Sequence, residues 1–188
     1  MRIGIPHCGH AYLIAEALVQ KLGNGENELI VPPPTSHRTL DLGVKYSPVE
    51  ACLPFKLTLG NLIEACELGA DTLIHARGTG VCRLGYYVKE QEQIIRDLGY
   101  NAHFLTLDVS QHRFSSIIRL MKDLTNGTPP PRIISALYFA MEKLFASDKI
   151  EKVVHKVRAV ELERGGANQI YREAVKAIGE AKTLGEVK

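Results

Sequence analysis

The alternation of strand-like and helix-like segments over the first hundred residues constrains the fold of this chain more than any other feature. Short apolar runs are each followed by a longer segment with apolar residues at helical spacing, closed by a glycine. This alternation is typical of a parallel sheet with helices on both faces. The strands are predicted at residues 2–5, 28–31, 72–76 and 102–107, and the helices between them at residues 11–22, 54–68 and 86–98.

After Asp108 the pattern becomes entirely helical. Helices are predicted at residues 110–125, at residues 133–160 with an interruption near Ser147 and Asp148, and at residues 167–182. The polar stretch 35–50 is predicted to be a loop with one helical turn near residues 39–42.

Two regions follow from these patterns. Residues 1–108 are predicted to form a small, doubly wound, Rossmann-like α/β domain of about four parallel strands, which carries the cysteine loops. Residues 109–188 are predicted to form a helical segment packed on that domain.

Composition excludes several classes of protein. The 188 residues are 45% hydrophobic and 23% charged, which excludes a disordered or collagen-like chain. The formal net charge of +2 gives no reason to expect a nucleic-acid partner. Polar residues interrupt every apolar run, so no membrane span is expected, and the proline at position 6 argues against a signal peptide. Four irregularly spaced cysteines indicate reduced thiols, and we expect a cytoplasmic protein.

Three of the cysteines fall near one possible ligand-binding edge. In a doubly wound sheet, ligands bind beyond the carboxyl ends of the strands where the strand order reverses. With the common order 2-1-3-4, the first and third strands are neighbours at that point. Cys8 follows the first strand, Cys82 lies in the loop after the third, and Cys52 lies two residues before Pro54 at the start of a helix.

The surroundings of these cysteines favour thiolates, which are the form that binds metal. Arg83 is adjacent to Cys82, and Lys56 lies within one helical turn of Cys52. Three glycines allow backbone amides to approach an inorganic group closely: Gly78, Gly80 and Gly85. Thiolates, cations and amides together are what an iron–sulfur cluster requires. The alternative is that these are ordinary thiols, because no CxxC pair is present.

Other sites have weaker support. The glycine-rich stretch 78–85 follows a strand and precedes a helix, but its GxGxxxxG spacing departs from the dinucleotide-binding pattern. His7 and His10 flank Cys8 and could ligate zinc, although helix-capping or surface roles are favoured. Cys66 lies in the middle of a helix and is predicted to be a small core residue.

Two long segments resemble a known family. Residues 43–61, which contain Cys52, and residues 80–87, which contain Cys82, resemble acyl-CoA dehydratase activase-related proteins. These proteins are relatives of the 2-hydroxyacyl-CoA dehydratase and benzoyl-CoA reductase subunits. Residues 4–7, 32–35 and 38–40 fit the same pattern, and residues 156–161 and 165–167 fit it more weakly, so the resemblance covers nearly the whole chain.

The resemblance implies that Cys52 and Cys82 ligate a [4Fe–4S] cluster, with Arg83 and the surrounding glycines shaping its pocket. In the wider superfamily, an activase that hydrolyses ATP supplies electrons to such clusters, which pass single electrons into a CoA thioester. The chain is therefore expected to be an iron–sulfur redox component of anaerobic metabolism, with an activase-type ATPase as partner.

The resemblance leaves the completion of the cluster open. Family members usually continue into a second α/β domain that supplies a further cysteine, and this sequence ends at Lys188. The remaining ligand could come from Cys8, from a partner chain, or from a homodimer in which two chains share Cys52 and Cys82. An incomplete, exposed site that is empty after handling in air is the favoured expectation, with Cys8 as the less favoured ligand. The alternative function is a non-catalytic interaction module or scaffold that docks on an activase or a longer homologue.

Overall fold

A four-stranded parallel sheet is the centre of the fold in the computed structural model of the chain. The structure describes residues 1–23, 27–77, 82–108, 113–125 and 127–187. The strand order is β2-β1-β3-β4, and every neighbouring pair is parallel. The strands are β1 (Arg2–Gly4), β2 (Glu28–Ile30), β3 (Thr72–Arg77) and β4 (His103–Asp108). The predicted fold class and strand order are thus confirmed.

Helices connect the strands and continue beyond the sheet. None of the helices in the part of the chain that the structure describes is long and apolar enough to span a membrane. A 3₁₀ turn, Arg83–Tyr86, leads directly into one of them. The helices are α1 (Tyr12–Leu22), α2 (His37–Tyr46), α3 (Leu53–Glu67), α4 (Tyr87–Asp97), α5 (Arg113–Leu124), α6 (Pro130–Val157), α7 (Gly166–Glu180) and α8 (Leu184–Val187).

The sheet separates two apolar cores, because successive side chains of a strand point to opposite faces. On one face Leu73 of β3 packs among residues of α3 and α4, including Leu59 and Ile95. On the other face Ile74 packs against residues of α1, α5 and α6, such as Ile133. Helices therefore cover both faces of the sheet, and α5 and α6 share a core with it. The division of the chain into two regions at residue 108 stays a prediction.

Helix α2 lies where the sequence predicted a loop with one helical turn. The predicted turn near residues 39–42 falls within the helix, whereas the loop predicted for the rest of residues 37–46 was wrong. Ser36 caps the helix: its hydroxyl accepts a hydrogen bond from the Thr39 amide, while the Thr39 hydroxyl accepts one from the Ser36 amide. The buried face of α2 carries Thr39 and Gly43 instead of large apolar residues. A search for apolar residues at helical spacing therefore underestimates this helix.

Helix α6 is continuous, so the predicted interruption near residues 147–148 was also wrong. Ser147 is fully buried, and its hydroxyl donates a hydrogen bond to the carbonyl of Leu144, 2.8 Å away. The hydroxyl is satisfied within the helix and does not break it. The helix begins at Pro130, earlier than predicted, because proline is well suited to the first helical turn.

Candidate thiol site at the start of two helices

Cys52 lies at the amino end of α3, where it occupies the position just before the first helical residue. Pro54 follows in the first turn and favours the start of a helix at this point. The side chain of Cys52 is exposed, and its Sγ is hydrogen-bonded to the hydroxyl of Tyr87. That bond joins the start of α3 to the start of α4.

Tyr87 is packed into the core. It is the first residue of α4 and is buried, and its ring meets the Phe55 ring edge-on with 4.7 Å between centroids. One turn further on, Gln91 is also buried and donates from Nε2 to the hydroxyl of Thr58, 2.7 Å away. These contacts fix the amino ends of α3 and α4 beside each other.

Cys82 and Arg83 complete the cluster from the segment that precedes α4. Cys82 lies next to the 3₁₀ turn that Arg83 begins, and both residues are exposed. Their charges act on Tyr87: a thiolate at Cys82 raises the pKa of the Tyr87 hydroxyl, and the Arg83 guanidinium lowers it. Cys52 therefore contacts Tyr87 directly, and Cys82 and Arg83 act on Tyr87 through their charges.

The electrostatics of this site favour a thiolate at Cys52. The hydrogen bond from Tyr87 lowers the pKa of the Cys52 thiol most, followed by the backbone amide of Phe55, and the Arg83 charge adds to both. The same hydrogen bond, together with burial, raises the pKa of Tyr87 to about 12. Tyr87 therefore stays protonated and donates its hydroxyl hydrogen to the sulfur.

Two other residues predicted at the site, Lys56 and Gly85, direct their N–H groups at backbone carbonyls nearby in the sequence. The Lys56 ammonium donates to the backbone carbonyl of Val49, 3.3 Å away. Gly85 is buried in the 3₁₀ turn, and its amide is directed at the carbonyl of Cys82 at 3.5 Å. Gly78 and Gly80 lie outside the described residues. The cofactor-binding roles of all four stay predictions.

Cys8 and Cys66 lie apart from this site. Cys8 is exposed and lines a cavity beside α1 and α5, on the other face of the sheet from Tyr87. Cys66 is buried in the core within α3, and burial raises the pKa of its thiol to about 11. His10, a weaker zinc candidate, is hydrogen-bonded to Tyr171 of α7. The third-ligand role of Cys8 stays a prediction.

The residues at the site fit an iron–sulfur cluster in kind but only partly in number. A cubane cluster is held by three or four thiolates, and Cys52 and Cys82 supply two. Over residues 1–23, 27–77, 82–108, 113–125 and 127–187, no group of three or more His, Cys, Asp or Glu side chains is placed to hold a metal ion. Any further ligand must therefore come from beyond this pair.

Sequence reasoning did not assign a role to Tyr87 or Gln91. Both lie on one face of α4, four residues apart, on the helix that follows Cys82. Buried polar side chains at that spacing could have indicated a contact with another helix. Cys52, however, lies 35 residues before Tyr87 in the sequence, so no local pattern indicates that the two side chains meet.

Comparison of the chain with protein-family models, with curated proteins and with solved structures finds no match.

Proposed function

We propose that this chain is an iron–sulfur redox component related to the 2-hydroxyacyl-CoA dehydratases, which receives electrons from an ATP-dependent activase. Cys52 and Cys82 would hold a [4Fe–4S] cluster, and the bound cluster would supply one-electron transfer. The observation that carries the proposal is the contact between Cys52 and Tyr87 where α3 and α4 begin, beside the charges of Cys82 and Arg83 that act on Tyr87.

The chemistry of the site supports this proposal. Iron binds the thiolate form of cysteine, and the hydrogen bond from Tyr87 favours that form at Cys52. The amino ends of helices carry partial positive charge, which suits an anionic cluster. Arg83 adds a permanent positive charge that faces the solvent.

The exposure of the two cysteines is consistent with a cluster completed from elsewhere. Both side chains are open to solvent, so a further ligand can approach without a change in the core. A second α/β domain, a partner chain or a second copy could supply it.

Anaerobic reconstitution with iron, sulfide and an excess of dithiothreitol, whose thiolates can complete the coordination that Cys52 and Cys82 begin, tests the proposal. We expect broad visible absorption from thiolate-to-iron charge transfer and an electron paramagnetic resonance signal after reduction, with both lost in Cys52→Ser and in Cys82→Ser. Cys66→Ala is the matched control, because Cys66 lies in the same helix as the Cys52 site but in the core. Failure of the wild type to take up iron, or uptake that survives both serine variants, would contradict the proposal.

A second candidate function, a docking module without redox activity, is favoured by a different observation. The exposed face of α6 carries four large apolar side chains three or four residues apart: Ile134, Tyr138, Met141 and Phe145. Such a stripe is typical of a surface that packs against another helix. Stable association with an activase-type ATPase that Tyr138→Glu abolishes, in a chain that takes up no iron, would favour this function.

A further inference from the structure

A cavity of about 440 Å³ lies between the sheet and helices α1 and α5, with α6 at its side. Its walls are almost entirely hydrocarbon. They include Ile3 and Ile74 from the strands, Leu18 from α1, and Ile117 and Leu120 from α5. None of the described residues that line it is charged. A ligand in this cavity must therefore be apolar.

The lining contains one amide side chain and one hydroxyl side chain, and each already donates a hydrogen bond to a backbone carbonyl. Asn27 donates from Nδ2 to the carbonyl of Leu124, 2.8 Å away. Thr125 donates its hydroxyl hydrogen to the carbonyl of Met121, 2.6 Å away. A polypeptide segment would bring backbone N–H and C=O groups that need partners, and these walls offer few. The cavity is thus better suited to a small hydrocarbon molecule than to a peptide.

The cavity makes the two faces of the sheet unequal. In β3, Leu73 is fully buried on the face covered by α3 and α4, whereas the next residue, Ile74, stays partly exposed and lines the cavity. Side chains of central strands are normally close-packed. The volume is about three times that of an engineered apolar cavity that stays dry and binds benzene, roughly 150 Å³, so it can hold a longer chain.

We propose that this cavity binds the hydrocarbon chain of a medium-chain acyl ligand, with the polar end of the ligand at the exposed rim near Cys8. The rim is formed by the exposed residues of the lining, Cys8, Ala11 and Met141. These lining residues are exposed to solvent, so a polar headgroup beside them can remain hydrated. The proposal is independent of the iron–sulfur function, because Cys52 and Tyr87 belong to the other face of the sheet.

Competition with a fluorescent fatty acid tests this binding. The full chain, stripped of lipid, is titrated with dansylaminoundecanoic acid, which is then displaced by saturated fatty acids of increasing length. We expect one site per chain and an affinity that rises about fourfold for each added methylene and levels off once the cavity is full. Absence of saturable binding would overturn the proposal, and so would an affinity that never levels off, which indicates surface adsorption.

A cavity-filling variant separates this site from the rest of the surface. Ala15 of α1 lines the cavity, and Ala15→Phe should weaken the binding of the dansyl probe at least tenfold while leaving iron uptake unchanged. Ala177→Phe, at an exposed position of α7, is the control and should bind like the wild type. Equal binding by the two variants would overturn the proposal.

Chemical protection of Cys8 gives a test that needs no variant. In the wild type, N-ethylmaleimide should modify Cys8 several-fold more slowly when decanoate is bound, while the exposed Cys82 reacts at an unchanged rate. Mass spectrometry of the separate peptides measures both rates. Unchanged modification of Cys8 at a saturating concentration of decanoate would show that the ligand does not reach the rim.

Discussion

Two side chains near the thiol of Cys52 favour its charged form by different means. Tyr87 donates a hydrogen bond from a buried and fixed position, whereas Arg83 acts through its charge from an exposed one. A fixed hydrogen bond loses little to solvent, but the field of an exposed charge is screened by water and salt. The two contributions can therefore be separated by substitution.

Substitution Tyr87→Phe should raise the pKa of Cys52. The wild-type thiol ionises below its ordinary value because the thiolate accepts a hydrogen bond, and phenylalanine removes the donor. Iodoacetamide reacts with the thiolate, so its rate of reaction with Cys52 should rise with pH at a higher pH in this variant than in the wild type. Peptide mass spectrometry measures the rate. Tyr86→Phe is the matched control, since Tyr86 is exposed. Identical pH profiles for the two variants would show that the hydrogen bond does not set the ionisation.

Substitution Arg83→Ala should leave the fold intact and alter only the electrostatics of the site. The side chain is exposed, so helix content and the melting temperature should change little. The pKa of Cys52 should rise less than in Tyr87→Phe, because Arg83 is the smaller of the two influences. A bound cluster should have a lower reduction potential, because loss of a cation disfavours the more negative reduced state. Arg83→Lys should restore much of the wild-type behaviour; a melting temperature that falls steeply in Arg83→Ala would instead assign the residue a structural role.

At the scale of elements, α2 and α3 cross so closely that two glycines are required at the contact. A Cβ atom at Gly43 would lie 1.8 Å from the carbonyl oxygen of Lys56, and one at Gly60 would lie 2.0 Å from that of Thr39. The close approach also allows Thr39 to donate a hydrogen bond to the buried carboxylate of Glu64, 2.9 Å away. The start of α3, and with it Cys52, is thus positioned by a backbone-to-backbone contact.

Substitution Gly43→Ala should destabilise the protein by about 3 kcal/mol, since backbone atoms must shift to admit one methyl group. The midpoint of urea unfolding measures this effect. It is followed by circular dichroism, because the chain contains no tryptophan for fluorescence detection. Gly166→Ala is the control: its Cβ would meet no atom within 4 Å, and helix α7 should be unaffected or slightly more stable. Equal midpoints for the two variants would mean that the helices can separate at little cost.

At the scale of the whole molecule, Lys143 links three helices. It is fully buried in α6, and its ammonium donates to the carbonyl of Gly179 in α7 at 2.8 Å and approaches Oε1 of Gln20 in α1 at 3.5 Å. Gly179 lies in the last turn of α7, where carbonyl groups lack partners within the helix. Lys143 therefore caps α7 from a neighbouring helix, although burial lowers the pKa of its ammonium group.

Substitution Lys143→Ala should cost about 2 kcal/mol or more of the free energy of unfolding, because it leaves a carbonyl without its donor and removes a buried side chain. Lys149→Ala, at an exposed position of the same helix, should be nearly neutral. Chemical denaturation of both variants measures the difference. A Lys143→Ala protein as stable as the wild type would show that water replaces the ammonium without loss.

The sequence predicted the sheet and most helices because their signals are local. Apolar runs such as Leu73 to Ile74 predict a strand, and glycines such as Gly99 close the helices. Helix α2 was missed because it packs through Gly43, which carries no side chain to produce a periodic pattern. The hydrogen bond from Tyr87 to Cys52 was missed because it depends on two helices meeting across the fold.

The unequal packing of the two sheet faces has a consequence for the response to hydrostatic pressure. Unfolding eliminates internal voids, so the volume decrease on unfolding grows with the void volume, and pressure favours the smaller volume. The part of the cavity of about 440 Å³ that its hydrocarbon walls keep free of water is such a void, so the chain should unfold at lower pressure than a close-packed protein of equal stability. Ala15→Phe should raise the pressure midpoint, and decanoate should raise that of the wild type, since each occupies the volume that compression would otherwise remove.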